Sequence, residues 1–221
     1  MPLIELRDAS GGYNGATVLS GVSLSIEAGE HIALVGESGA GKSTLLKMIH
    51  ERCRDQAALV PQELGLVQAL TVFHNVYMGR LHRFPVLHNL RNLLAPVRAD
   101  VDAVTDVLRR LRLEDKLFAS VGELSGGQQQ RTAVGRALFH PGDILIADEP
   151  VSAVDEHQAR EILETLNSDK QTVILAMHDR ALALRFADRL IGVKGGRIVL
   201  DEAASGMTPG DLDQLYQTNG G

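Results

Sequence analysis

The sequence predicts an α/β fold in which a mostly parallel sheet is covered by helices on both faces. Three observations support this prediction. Short apolar strands alternate with helical segments along most of the 221 residues, a pattern typical of parallel sheets. A glycine-rich loop joins a strand at 31–35 to a helix. Residues 65–140 show mainly helical spacing, which predicts a helical subdomain inserted into a single domain of residues 1–221.

The first part of the chain predicts strands and one helix. Residues 3–6 and 22–26 alternate between apolar and polar side chains, and the glycines between them predict a turn-rich loop. Three more elements follow in order: a buried strand at 31–35, a helix at 42–49 and a strand at 58–60.

The middle of the chain predicts helices. Apolar residues recur at helical spacing over 71–81, 86–94 and 100–113, with Pro85 and Pro96 as breaks. Four apolar residues of the last segment share one face: Val101, Val104, Leu108 and Leu111.

Strands and helices alternate again after a helix that ends near Phe139. The predicted strands are 144–147, 172–177, 190–193 and 197–200, and the predicted helices are 156–166 and 181–187. This second half predicts that the parallel sheet continues.

Composition bears on three questions: a nucleic-acid partner, the redox setting and membrane-spanning segments. The net charge of -6 and the pI of about 5.7 argue against a nucleic-acid partner, because such proteins usually present a basic face. The single cysteine fits a reducing, cytosolic setting. No run of about 18 apolar residues occurs, so any link to a membrane is expected to come through a partner.

The strongest motif lies at residues 36–43, GESGAGKS, which match G-x-x-x-x-G-K-[ST] between a strand and a helix. Glycines allow several backbone N–H groups to converge on a phosphate at the positive end of a helix. A chance glycine-rich turn is the alternative, and the strand–helix context disfavours it. The predicted nucleotide-binding residues here are Gly36, Glu37, Ser38, Gly39, Ala40, Gly41, Lys42, Ser43 and Thr44.

Two acids follow the apolar strand at 144–147. Asp148, at the strand end, is placed to hold Mg²⁺, and Glu149 is placed to polarise an attacking water. Two acids after a strand can also be a solvated turn. Because a phosphate loop is present in the same chain, the two motifs together predict a nucleotide-binding site of the P-loop NTPase type that uses Mg²⁺; the identity of the nucleotide, ATP, comes with the family resemblance described below.

A third motif, LSGGQQQR at 124–131, precedes a helix. Ser125 is a candidate N-cap, and the glycines that follow leave backbone N–H groups uncovered. Local physics alone favours a plain glycine turn before a capped helix. The residues assigned to a second phosphate-binding helix start are Ser125, Gly126, Gly127 and Gln128.

LSGGQQQR resembles the signature of ABC ATPases, and the other marks of that family stand in the expected order across nearly the whole chain. The resemblance implies the ABC ATPase fold, with a small antiparallel β side sheet beside the main sheet. It also implies roles for five further residues: Tyr13 stacking on adenine, Val18 at the nucleotide, Gln62 touching Mg²⁺, Asp155 in a loop across a dimer seam, and His178 at the γ-phosphate.

The resemblance implies a mechanism. ATP bound by one copy is covered by the signature of a second copy in a head-to-tail dimer. Glu149, His178 and Lys42 are the expected catalytic residues. The expected Mg²⁺ ligands are Ser43, Gln62 and Asp148.

The resemblance also implies a separate transmembrane permease subunit, so the chain is expected at the cytoplasmic face of the cell membrane. Residues 63–91 carry apolar side chains that suit a docking surface. The likeness extends to phosphonate-type importers, whose systems can include a solute-binding protein. Alternatives are an exporter or lipoprotein-type system, a non-transport ATPase acting on ribosomes or nucleic acid, and a regulatory nucleotide-binding module.

One departure from the family pattern concerns the segment between Lys42 and Gln62, which are only 20 positions apart. Family members usually have a longer segment here that contains a strand pair. We therefore expect a reduced antiparallel side sheet.

Overall fold

A six-stranded sheet forms the centre of the computed structural model, which describes residues 2–13 and 15–216. Its strands are β3 (His31–Val35), β4 (Ala57–Val60), β5 (Ile144–Asp148), β6 (Thr172–Ala176), β7 (Arg189–Lys194) and β8 (Arg197–Ala203). They lie in the order β4-β5-β6-β3-β7-β8, and neighbours are parallel except β7 and β8. The predicted, mostly parallel sheet is confirmed.

The central strands are apolar along their length because both faces of the sheet are covered. One face carries Ile32 and Ile146, which pack against helix α1 (Lys42–Cys53). The other face carries Leu145 and Leu175, which are buried under helices. Those helices are α5 (Gly126–Phe139), α6 (Glu156–Asp169) and α7 (Arg180–Phe186).

Parallel pairing places the carboxyl ends of β3, β5 and β6 at one edge of the sheet. The loops that leave this edge carry residues 36–41, 149–155 and 177–179. Ligands of open α/β sheets bind at such an edge. The fold therefore brings together the motifs that the sequence analysis found far apart along the chain.

The antiparallel side sheet consists, among the described residues, of β1 (Ile4–Tyr13) and β2 (Ala16–Ile26). The predicted loop between two short strands is wrong, because Gly11 and Gly12 lie inside β1 and pair with β2. Shifts in register accommodate these glycines. Three residues, 54–56, separate α1 from β4, so the expected lack of a strand pair there is confirmed.

Helices fill the chain between β4 and β5. They are α2 (Val72–Tyr77), α3 (Val86–Leu94), α4 (Arg98–Arg110) and α5, with 3-10 helices at Met78–Arg83, Glu114–Lys116 and Val121–Glu123. The predicted helix at 71–81 is wrong in its second half, where a Cβ on Gly79 would lie 2.4 Å from the carbonyl oxygen of Arg136. The backbone there follows α5 at close range. That residues 65–140 act as a subdomain stays a prediction.

A buried cluster holds α2, α4 and α5 together. Phe73 and Val76 of α2 pack with Val104 and Leu108 of α4 and with Phe139 of α5. Of the face predicted for this segment, Val104, Leu108 and Leu111 are buried and Val101 is partly buried, although Leu111 lies just beyond the end of α4. No helix within residues 2–13 and 15–216 has the length and apolar character needed to cross a bilayer.

Candidate active site

The loop at 36–41 joins β3 to α1 and has the backbone of a phosphate cradle. Gly36, Gly39 and Gly41 have φ values of 145°, 78° and 112°, which side chains other than hydrogen rarely permit. A Cβ on Gly36 would lie 2.2 Å from the carbonyl oxygen of Val193. Only glycine therefore fits where the loop passes β7.

Lys42 is the first residue of α1, and its ammonium folds back over the loop. Its Nζ donates to the carbonyl oxygens of Gly36 at 2.8 Å and Glu37 at 3.0 Å. Burial lowers the pKa of Lys42, and the charges of Glu149 and Asp148 oppose that shift. A buried cation at the N-terminus of a helix is suited to bind an anion.

The acidic pair stands at the next strand end. Asp148 closes β5 and is 8% exposed. Glu149 adopts a φ of 53°, and its N–H donates to the carbonyl oxygen of Ala176 on β6. Its Oε1 lies 2.6 Å from Nε2 of His178. The sheet therefore places Glu149 and His178 in direct contact, although 28 residues separate them.

A cleft of about 540 Å³ opens beside the phosphate loop. Four predicted site residues line it: Tyr13, Ser43, Gln62 and Asp148. The Tyr13 ring is 46% exposed, and Nζ of Lys47 lies 5.1 Å from its centroid. An exposed aromatic face at this end of the cleft is suited to stack on a base.

The oxygen atoms lining this cleft fit a magnesium ion. Ser43, Gln62 and Asp148 offer a hydroxyl, an amide carbonyl and a carboxylate, which are the hard donors that Mg²⁺ prefers. Mg²⁺ also binds through substrate phosphates, and Ser43, which lines this cleft, comes two residues after the end of the phosphate loop. The residues present therefore suit the ion.

Two predicted nucleotide-binding residues have side chains packed against protein. The Thr44 side chain is buried, and a Cβ on Gly11 would lie 3.3 Å from its Cγ2. Val18 of β2 is half-buried, and its Cγ1 would lie 3.5 Å from a Cβ on Gly41. The Thr44 side chain thus packs against β1, and the Val18 side chain packs against the end of the loop.

The signature motif forms a capped helix start. The Oγ of Ser125 accepts from the backbone N–H of Gln128, whose Oε1 accepts from the N–H of Ser125. Gly126 and Gly127 lie against Ala153. None of these residues lines the cleft beside Lys42. The predicted N-cap is confirmed.

Asp155 also lies outside the cleft. It caps α6 by accepting from the backbone N–H of Gln158 at 2.9 Å. That hydrogen bond lowers the pKa of Asp155. Together with the signature, the loop at 152–155 forms a second surface of the chain.

Three residues that the sequence analysis missed hold the site in place. Gln130 on α5 hydrogen-bonds the loop at 149–153. Arg136 donates to the carbonyl oxygens of Leu64 and Gly65, just after Gln62. A polar side chain among the apolar positions 133, 134 and 137 of a buried helix could have indicated Gln130.

Tyr216 is the third missed residue. Its hydroxyl accepts from the N–H of Gly36 at 3.2 Å, and burial raises its pKa. The guanidinium of Arg180 lies 5.0 Å from its ring centroid. The sequence carries no local signal for this contact, because Tyr216 and Gly36 are 180 positions apart.

Known proteins resemble this chain along most of its length. Residues 19–152 match the family described as ABC transporter. A phosphonates import ATP-binding protein of Lactobacillus gasseri is 34% identical, over 100% of this chain and 94% of that protein. A protein of the same name from Pseudomonas syringae is 37% identical, over 96% of this chain and 89% of that protein.

Solved structures agree with this match. A dimeric bacterial ABC transporter cassette, MJ0796, superposes with a TM-score of 0.80 at 27% identity, over 93% of this chain and 100% of that chain. A second dimeric structure of MJ0796, in a post-hydrolysis state with ADP and Pi, gives a TM-score of 0.76. The family match, the relatives and the fold lead to one conclusion: this chain belongs to the ABC transporter family and is an ATP-binding and ATP-hydrolysing subunit of that family.

Proposed function

We propose that ATP binds across the loop at 36–44 and the cleft beside it, and that Glu149 is the general base of hydrolysis. The contact between Glu149 and His178 at the edge that also carries Lys42 is the observation that carries this proposal. Glu149 orients water toward the γ-phosphate, His178 holds the carboxylate, and Lys42 neutralises phosphate charge. Tyr13 stacks on the adenine.

Ser43, Gln62 and Asp148 would hold Mg²⁺, which supplies Lewis-acid stabilisation of phosphate charge when bound. The protein's share is to orient these oxygen donors. Asp148 is fixed by β5, and Gln62 follows β4, which is the neighbouring strand. Arg136 holds the backbone just beyond Gln62 through two carbonyl oxygens, so the position of Gln62 is linked to α5.

The working unit is a head-to-tail dimer of this chain. The signature at 125–128 and Asp155 lie away from the cleft of their own chain, which suits contact with ATP held by a second copy. The capped start of α5 presents backbone N–H groups for that purpose. The relatives of known structure named above were solved as dimers.

The dimer energises import through a separate permease at the cytoplasmic face of the membrane. The named relatives are import proteins for phosphonates, so a phosphonate or related small anion is the proposed cargo. A solute-binding protein that delivers the cargo belongs to the same proposal. The acidic balance of the chain gives no support to a nucleic-acid partner.

Helix α3 has the surface expected of a permease contact. Three of its polar residues point inward: Asn89 accepts from the hydroxyl of Tyr77, while Asn92 and His88 hydrogen-bond Asp100. Its aliphatic residues point outward and are exposed: Val86, Leu87, Leu90, Leu93 and Leu94. A helix held by its polar face leaves its apolar face for a partner.

The charge around α3 indicates which kind of partner surface would bind there. No Asp or Glu occurs between Glu63 and Asp100, whereas this stretch contains four arginines. Arg83, Arg91 and Arg98 are exposed. A partner surface with aliphatic side chains and acidic neighbours complements this patch.

The experiment is a pull-down of tagged Glu149→Gln protein from detergent-solubilised membranes of its own cell with ATP present. A polytopic membrane protein of an import system supports the proposal. An exporter subunit overturns the direction of transport. Ribosomal proteins or nucleic acid without a membrane partner overturn the transport function.

A further inference from the structure

Gln130 is a buried polar residue that joins the signature helix to the catalytic loop. It lies on α5 and is 2% exposed. Its Nε2 donates to the carbonyl oxygen of Glu149 at 2.8 Å and to the Oγ of Ser152 at 3.2 Å. Its Oε1 accepts from the backbone N–H of Ala153 at 2.7 Å. One amide thus ties α5 to consecutive parts of the loop at 149–153.

The backbone at Glu149 needs such support. Its φ of 53° is the left-handed conformation that residues with a Cβ rarely adopt. Such strained conformations persist at functional sites only where the surroundings determine them. The carbonyl oxygen of Glu149 accepts from Gln130 and also from Ser152. Gln130 is buried and lies on a long helix, so it is the more rigid of these two donors.

We propose that Gln130 is a positioning residue that holds Glu149 in its working orientation and couples it to the signature of the same chain. Gln130 lies five residues after the N-cap Ser125, on the same helix. Within the proposed function, on which this inference rests, Ser125 contacts the ATP of the partner site. A shift of α5 when that site closes or opens therefore moves the backbone of Glu149 at the chain's own site.

Close contacts on both sides of α5 would transmit a shift of this helix to the loop that carries Glu149. A Cβ on Gly127 would lie 3.0 Å from the carbonyl oxygen of Ala153, so the signature rests on the same loop that Gln130 holds. Arg131, the next residue, donates to the carbonyl oxygens of Leu111 and Arg112 at 3.1 Å. These bonds fix the start of α5 to the two residues that follow α4.

The test compares Gln130→Met with the matched control Gln129→Met on the full chain. Methionine keeps the size of glutamine but makes none of its hydrogen bonds with the loop. Gln129 is the adjacent residue and donates to the carbonyl oxygen of Leu124. We expect the kcat of ATP hydrolysis of Gln130→Met to fall about ten- to hundredfold, as when a reacting group is displaced by roughly 1 Å. The half-saturating ATP concentration should stay within about twofold of the wild-type value, since positioning affects the transition state and leaves ground-state binding intact.

Dimer formation distinguishes positioning from a damaged fold. Gln130→Met should accumulate as an ATP-bound dimer, because the two copies still associate on ATP but hydrolyse it slowly. Gln130→Glu provides a second readout. Its carboxyl donates to the carbonyl oxygen of Glu149 only when protonated, so its kcat relative to wild type should rise as the pH falls.

The outcomes separate this inference from the proposed function. If the unmodified chain hydrolyses ATP and Gln130→Met has the same kcat, the positioning role is overturned. Loss of ATP binding in Gln130→Met together with a flat pH ratio for Gln130→Glu also overturns it, since both indicate a purely structural residue. A wild-type chain that neither dimerises with ATP nor depends on Glu149 overturns the proposed function itself.

Discussion

Nε2 of His178 lies 2.6 Å from Oε1 of Glu149, across the ends of two neighbouring parallel strands. Both side chains leave the sheet at its carboxyl edge, so their contact follows from the register of β5 and β6. A cavity of about 350 Å³ adjoins the pair and is lined by residues of the loop at 149–154 and by Leu182. The pair therefore borders open space in which a water molecule can reach Glu149.

Glu149→Gln removes the proposed general base and keeps the shape of the side chain. We expect ATP binding to persist and turnover to fall by about 10²- to 10⁴-fold, the usual contribution of a general base. The ATP-bound dimer should accumulate and be visible by size-exclusion chromatography. Near-normal phosphate release from this variant would show that another group activates water.

The effects of Glu149→Gln and His178→Ala should not add. The two side chains touch, and residues that act as a unit show strong non-additivity. We expect the double variant to be no more than a few times slower than Glu149→Gln alone. Single-turnover ATPase assays of the four proteins measure this, and fully multiplicative losses would contradict a shared role.

Gly36→Ala should abolish ATP binding. The added methyl group would approach the carbonyl oxygen of Val193 at a φ of 145°, so the loop must move. Gly206→Ala is the matched control, since Gly206 also has a positive φ, of 87°, but a Cβ there meets no atom within 4 Å. We expect the control to lose about 1–2 kcal/mol of stability and to bind a fluorescent ATP analogue normally.

The free energy of unfolding should depend on His140 at mildly acidic pH. Burial, aided by the charge of Lys170, lowers the pKa of His140 to about 4 from 6.5. Between about pH 4 and pH 6.5 the unfolded chain binds a proton at His140 that the folded chain does not. The stability that depends on a neutral His140 is therefore complete above pH 6.5 and is lost as the pH falls toward 4.

Replacing His140 by Asn removes this proton linkage and keeps an acceptor for the N–H of Gly142. The stability difference between wild type and His140→Asn should therefore shrink as the pH falls from 7 to 4.5 in urea titrations. His157→Asn, at an exposed helix position, serves as the control. An unchanged difference for His140→Asn across this range would rule out the linkage.

Leu87→Glu should uncouple the chain from its membrane partner. Leu87 is 79% exposed on α3, so a charge there should cost little stability and leave ATP binding intact. Co-purification with the permease should fall at least about tenfold, the effect of removing one central aliphatic contact. Val199→Glu, at an exposed aliphatic residue of β8, should bind the permease as wild type does. Equal capture of both variants would place the contact elsewhere.

The sequence predicted the parts of the site that depend on neighbours along the chain. The glycines at 36–41, Lys42 and the acids after β5 stand in short motifs, and the alternation of elements sets the sheet. The contact of Glu149 with His178 follows in part from the sequence, because each residue comes after a predicted strand and parallel strands align their ends. The capped start at Ser125 likewise needed only its local residues.

Other features depend on tertiary contacts that leave no local trace. The β1–β2 pairing extends through glycines because the register shifts there. By propensity alone, these glycines predict a turn. The helix predicted at 71–81 changes to a 3-10 helix where the chain follows α5. The partners of Tyr216 and Gln130 lie 180 and 19 or more positions away, so packing decides them.

The strand that leads into the phosphate loop has both of its partners late in the chain. His31 pairs with Val173, and Ile32 pairs with Arg189. At 5–20 residues per second, a ribosome needs on the order of ten seconds to make the intervening stretch. During that time β3 and α1 expose aliphatic side chains without their sheet neighbours. The proposed nucleotide-binding loop is therefore synthesised early and completed late, and chaperones that bind nascent chains are expected to contact residues 31–53 before the loop can bind ATP.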